Sequence, residues 1–185
     1  MSDAFHSNTE VSTVPFVDVQ RYAGKWFEIA SYPQRFQKGC FCTTAEYTLT
    51  SEGFLIVENR CNRGNYTGKQ SYIKGKAFIV PNSGNAKLQV QFFWPFKGKY
   101  WIVDLASDYS YAVVSHPNRK YLWILSRTPK MGMEIYHQIL TGLIAKGYDT
   151  SKLQLTPQLW WYQLSIKQTQ QYETKNWNIR ETPFG

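Results

Sequence analysis

The chain has 185 residues, enough for one domain that buries roughly two thirds of its surface without help from a metal or a disulfide. Apolar residues make up 43% and charged residues 18%, which excludes global disorder, and 7 Trp, 13 Tyr and 11 Phe favour a β-rich fold with large aromatic surfaces. The net charge of +8 favours anionic partners, and no apolar run is long enough for a transmembrane helix.

Residues 1–20 are polar and unpatterned and read as an arm. Residues 1–10 show no apolar h-region and no lipobox-like Cys, so neither a secretory signal nor a lipid anchor is expected from them. The first strand spans 26–32 and stops at Pro33. Strands two and three span 41–50 and 54–60, joined by the turn signal Ser51, Glu52, Gly53. Ala45, Tyr47 and Leu49 share one face of the second, and Leu55 and Val57 one face of the third. The fourth strand, 71–80, ends in a turn over 81–85, and the fifth, 86–93, alternates Leu88, Val90 and Phe92 with Lys87, Gln89 and Gln91. Residues 94–99 read as a loop, 100–105 and 111–115 as strands around a turn, 116–120 as a loop, and 121–126 as the eighth strand. A strand and turn about every ten residues is the signature of an up-and-down barrel or sandwich. The period then changes: Ile135, Tyr136, Ile139, Leu140, Leu143 and Ile144 recur at three and four, an amphipathic helix bounded by Pro129 and Gly147. A short strand at 152–155 follows, and 159–185 is an aromatic tail with Trp160, Trp161, Tyr162, Trp177 and Phe184. The expected organisation is an arm (1–20), a barrel with its helix (21–158) and the tail.

Three cysteines support one disulfide. The hairpin brings Cys61 near Cys40 or Cys42, leaving the third thiol over. Three Cys without a partner His fall short of a closed zinc set, and His6, His116 and His137 form no visible triad, so neither a metal nor a cofactor is expected.

In an eight-stranded up-and-down barrel the start of the first strand and the end of the eighth share one end. That places the Arg127 guanidinium over the Trp26 indole, a contact worth about 0.5–2 kcal/mol. Gly24, Lys25 and Trp26 resemble the GxW motif of lipocalins; Ser107, Asp108 and Tyr109 resemble their TDY motif; and Arg127 resembles the Arg of their third motif. Residues 22–30, 44–49, 92–96, 121–129 and 147–153 resemble bacterial outer-membrane lipocalins and apolipoprotein D, in order across about 18–158. The resemblance implies an all-β, eight-stranded antiparallel up-and-down barrel with one C-terminal helix packed outside, closed at Gly24, Trp26 and Arg127. It implies a periplasmic or outer-membrane protein, whereas the missing signal and lipobox leave the cytoplasm open.

Such a barrel holds one small ligand. Counting back by twos from Arg127 turns Leu125, Trp123 and Tyr121 inward; alternation elsewhere nominates Ala45, Tyr47, Val57, Leu88, Val90, Phe92, Ile102 and Val114 as cavity lining, with Glu28 and Asp104 as the charged candidates. An apolar aromatic lining suits an acyl chain. The four loops at the open end carry Arg35, Lys38, Arg63, Lys69, Lys97, Lys99, Arg119 and Lys120 and no acid, against about three basic residues for an even spread. Phe36, Tyr66, Trp94 and Phe96 sit among them. The expected function is non-catalytic carriage of a fatty acid or lysophospholipid by a monomer or weak dimer. A basic aromatic mouth would touch anionic headgroups or membranes. Nucleic acid is not expected, because eight alternating strands exceed an OB-fold. The alternatives are a lipid enzyme with Cys61 as nucleophile, or a haem carrier using Tyr47.

Overall fold

The computed structural model describes residues 11–160. Eight strands follow one another: β1 (Gly24–Ser31), β2 (Cys40–Leu49), β3 (Leu55–Arg63), β4 (Gln70–Ile79), β5 (Lys87–Phe93), β6 (Phe96–Leu105), β7 (Tyr111–Ser115) and β8 (Leu122–Ser126). Each pairs antiparallel with the next, and β1 also pairs with β8, so the sheet closes into the expected barrel. Alternation along each strand sorts the apolar residues into two cores. Leu55, Val57, Ala77, Leu88, Ile102, Ala112 and Val114 pack inside the barrel with Trp26. The opposite faces of β6–β8 turn Val103, Val113, Leu122 and Ile124 outward, where α2 (Met133–Ala145) covers them with Ile139 and Leu143. The helical stripe is narrower than its sequence period suggests: Ile135 and Ile144 are exposed, because a straight helix touches a convex barrel along one line.

Residues 11–20 are not an arm. Val14 N donates to the Ile102 carbonyl at 3.0 Å and Val17 N to the Gly84 carbonyl at 2.8 Å, while Val11 and Val17 are buried. This strap crosses the barrel end and leads into α1 (Val19–Tyr22), whose first amides donate to the Asp18 carboxylate. Val11, Val14 and Val17 were the signal, hidden among polar neighbours. Gly84 is required where the strap docks: its φ is +58°, and a Cβ there would lie 2.0 Å from the Pro15 carbonyl oxygen. Residues 1–10, and the tail aromatics Trp161, Tyr162, Trp177 and Phe184, lie outside the described residues; Trp160 donates its indole N–H to the Pro129 carbonyl at 2.6 Å.

The 94–99 loop is also corrected. β5 and β6 continue to a tight turn at Trp94 and Pro95, with Phe93 opposite Phe96, so Lys97 and Lys99 stand on a strand. Pro95 sits in the turn, where its missing N–H costs no ladder bond. Finally, β1 parts from β2 after the Phe27–Thr44 pair. The short strand β9 (Gln154–Leu155) pairs with Ala30 and Ser31 beyond that point. Gln158 then bridges the split: its side-chain amide donates to the Glu28 carbonyl at 2.7 Å and the Thr43 carbonyl at 3.1 Å. Cys40 and Cys61 form the disulfide, which resolves the alternative pairing and leaves Cys42 free.

Candidate ligand-binding cavity

One barrel end is sealed. Trp26 is fully buried, and its indole N–H donates to the Tyr22 carbonyl at 2.9 Å. The Arg127 guanidinium lies 3.7 Å above the Trp26 ring and donates to the carbonyls of Lys25 (3.0 Å), Arg21 (2.5 Å) and Tyr22 (3.2 Å). Gly24 has φ +93°, a left-handed conformation that favours glycine, while a Cβ there would only touch Arg127 Nη1 at 3.4 Å. Tyr109 completes the seal: its hydroxyl accepts from Asp18 N at 2.8 Å, and Arg21 lies over its ring.

Above this seal the barrel is open. A cavity of about 480 Å³ reaches the other end. Ala45, Tyr47, Val57, Val90, Phe92, Trp123 and Leu125 line it, as inward alternation places them. Leu88, Ile102 and Val114 point inward too, but lie in the packed lower half and do not border the cavity. Tyr121 precedes β8 rather than belonging to it; it stacks on Trp123 at 6.0 Å at the rim and is partly exposed. The count by twos fails there because the strand stops one residue short. Space exists because β6 offers Gly98 at cavity height.

The floor is a hydrogen-bonded tyrosine chain. Tyr47 donates to the Tyr100 hydroxyl at 2.9 Å, and the Tyr100 and Tyr22 hydroxyls are 2.7 Å apart. Burial pushes Tyr47 up to about 12. One wall is polar. Glu28 is buried and accepts from Ser31 Oγ at 2.9 Å, Thr156 Oγ1 at 2.6 Å and Gln37 Nε2 at 2.8 Å. Gln37 in turn accepts weakly from the Trp123 indole N–H at 3.4 Å.

The open end is aromatic and basic. Phe36, Phe93, Trp94 and Phe96 are 61%, 68%, 85% and 77% exposed around it. Phe36, Phe93, Phe96, Lys97 and Lys99 border the cavity. Lys97 leans outward, its ammonium 4.6 Å over the Phe78 ring. Arg35 and Lys38 border an adjoining groove under the first loop. Arg119 and Lys120 do not meet the cavity: the loop between β7 and β8 folds outward, and Arg119 lies over Tyr148 and donates to the Lys146 carbonyl. Arg63 ties the first loop down through the carbonyls of Lys38 and Phe36.

A family profile described as a lipocalin-like domain matches residues 17–158. The chain belongs to the lipocalin family. It is 42% identical over 158 residues to temperature-induced lipocalin-1 of Arabidopsis thaliana, covering 80% of this chain and 83% of that protein. It is 39% identical over 142 residues to the outer membrane lipoprotein Blc of Escherichia coli (strain K12), covering 77% and 80%, and 34% identical over 151 residues to apolipoprotein D of Bos taurus, covering 77% of each. Among solved structures, insecticyanin from Manduca sexta superposes with a TM-score of 0.66 at 24% identity, over 80% of this chain and 84% of that one, which shows the shared fold. Membership carries the family's general role, binding and transport of a small apolar ligand.

Within this lipocalin the sequence reading missed Gln37, Thr43, Thr44, Asn59, Phe93, Gly98 and Tyr100 as lining residues. Asn59 shares the inward parity of Val57, but an apolar criterion skips it. Thr43 lies beside the irregular register between Phe41 and Thr44, where parity is lost. Gly98 is lost with the misread 94–99 loop, whereas Tyr100, on the expected strand 100–105, shares the inward parity of Ile102 but is passed over. The thiol alternative also changes: Cys61 is bonded to Cys40 and offers no nucleophile in this state. For an iron ligand, the raised Tyr47 hydroxyl disfavours the tyrosinate form. Among the described residues no group of three or more His, Cys, Asp or Glu is placed to hold a metal.

Burial pushes the Glu28 carboxyl above its ordinary range, opposed by the hydrogen bonds from Thr156, Ser31 and Gln37. In the unfolded chain a Glu loses its proton near about 4.3. As pH rises past that value, the unfolded state releases the proton first. Stability falls until the folded carboxyl has titrated. Glu28→Gln should flatten this decline. Urea unfolding of both proteins from about pH 4 upward checks it; parallel curves would show that Glu28 does not titrate with folding.

Proposed function

We propose that this lipocalin binds and carries a long-chain fatty acid or a lysophospholipid, chain down the barrel and anionic head at the mouth. The observation that carries the reading is a cavity, apolar on its β5–β6 side, that opens between exposed aromatics and Lys97 and Lys99. Burying about 12 methylenes at ~0.8 kcal/mol each yields about 10 kcal/mol gross, and ordering costs leave an affinity near micromolar. The name of Blc, an outer membrane lipoprotein, places that relative at a membrane and is in keeping with a lipid cargo. Mass spectrometry of the purified protein, native and then extracted, tests the reading. Near one acyl lipid per chain is expected; an empty barrel that also refuses an apolar fluorescent probe overturns it.

Cargo of this kind is exchanged at lipid surfaces, and the mouth is suited to one. Phe36, Trp94 and Phe96 would enter the interface while Arg35, Lys97 and Lys99 meet anionic headgroups. Removing each charge should weaken binding to anionic vesicles roughly fivefold. The triple variant Arg35→Gln, Lys97→Gln, Lys99→Gln should therefore lose about two orders of magnitude in a sedimentation assay at low salt. Unchanged partitioning would show that the mouth does not dock on membranes.

A further inference from the structure

The polar wall of the cavity is larger than a fatty acid tail needs. Glu28 and Gln37 satisfy one another and their neighbours. Tyr47 and Tyr100 do the same at the floor. Two further residues that line the cavity each hold a buried side-chain oxygen without a protein partner: Thr43 Oγ1 and Asn59 Oδ1. Thr43 is only 7% exposed, and it stands between the cavity and the adjoining groove under the first loop. A polar atom left unpaired in such a place costs about 1–3 kcal/mol unless something bonds to it. Plain methylenes cannot do so.

The two atoms are placed to act together. Asn59 stands opposite Ala45, and Thr43 is two residues nearer the mouth on the same strand as Ala45. They are neighbours across adjacent strands, with Thr43 in the irregular stretch between Phe41 and Thr44, so one small group placed between the strands can address both. Asn59 lies four residues below Arg63, where β3 ends at the mouth, or roughly 13 Å along the strand. A group that reaches both is therefore carried well down the chain of a ligand whose head stays at the mouth.

We infer that the cavity selects an acyl chain bearing a mid-chain hydroxyl, which donates to Asn59 Oδ1 and accepts from the Thr43 hydroxyl. This rests on the acyl-carrier reading and narrows its ligand class. The hydroxyl is discriminated because a site built to bond it leaves buried polar atoms unpaired when the hydroxyl is missing. The β5–β6 side, with Val90 and Phe92, offers the rest of the chain an apolar wall.

Competition against an apolar fluorescent probe tests this with stearate and 12-hydroxystearate, on the natural chain and on Thr43→Val/Asn59→Leu. Both substitutions keep side-chain shape and remove the hydrogen-bonding atoms. The natural chain should prefer the hydroxylated acid, and the preference, taken as the ratio of the two affinities, should fall tenfold or more in the double variant. Stearate should bind the variant as well as, or better than, the natural chain. An equal ratio in the two proteins, with both acids bound, overturns this inference alone. If neither acid displaces the probe from either protein, the acyl-carrier reading fails and takes this inference with it. Thermal unfolding of the double variant accompanies the titration, and Thr43→Val alone serves as the second variant if the pair unfolds; a tenfold loss is then replaced by a several-fold one.

Discussion

Trp26→Ala should lower the unfolding free energy by about 3–5 kcal/mol, a large part of the about 5–15 kcal/mol typical of a domain. The indole is fully buried, and the Arg127 guanidinium above it is held by four backbone carbonyls, those of Tyr109, Lys25, Arg21 and Tyr22, so it does not settle into the space. The variant also strips Arg127 of its aromatic platform and removes one of the donors to the Tyr22 carbonyl. Trp26→Phe keeps a ring beneath the guanidinium but loses the indole N–H and some volume, so it should fall between the two. Urea denaturation of the three proteins measures the order. A loss below about 1 kcal/mol in Trp26→Ala would show that the end seal is not what holds the barrel closed.

Filling the cavity should abolish cargo binding without unfolding the protein. Gly98 lines the cavity, has an ordinary backbone conformation, and an added Cβ there meets only the Val90 carbonyl oxygen at 3.8 Å. Gly98→Phe should project a ring into the space otherwise held by about four methylenes, a loss near 3 kcal/mol or roughly a hundredfold in affinity for an apolar probe. The same change replaces a strand-interior Gly by a strong strand former, so thermal stability should hold or rise. Titration with the probe and a melting curve on the same sample separate the two effects. Undiminished probe binding in a folded variant would place the ligand site outside the barrel.

The two variants probe opposite ends of one design, and the ends were not equally legible from residues alone. The sealed end rests on short-range rules and chain topology. A Trp near the start of the first strand and an Arg at the close of the last are brought together in a closed eight-stranded meander, and the Arg127 guanidinium lies 3.7 Å from the centre of the Trp26 ring, as expected. The open end depends on where strands stop and loops turn. Residues 94–99 read as a loop, yet the chain pairs up to Phe93 and Phe96, and that reading hides Gly98, the glycine that makes room. Arg119 and Lys120 were assigned to the mouth by loop order, whereas their loop folds outward against Tyr148.

The amino-acid sequence by itself determined eight meandering strands and a helix, through periodicity two, periodicity 3.6 and the order of elements, while the motifs around Trp26 and Arg127, by their resemblance to lipocalins, pointed to a barrel closed at that end. Only the tertiary structure decided how deep the cavity runs. Leu88, Ile102 and Val114 alternate inward just as Val90 and Trp123 do, but the strap of residues 11–20 and the Trp26 seal fill the space around them. Tertiary contacts also decided which cysteines pair and how the split beside Glu28 is covered, by Thr156 and Gln158 from more than a hundred residues away. Alternation says which way a side chain points; what it meets there depends on packing between distant segments, and no local pattern encodes that.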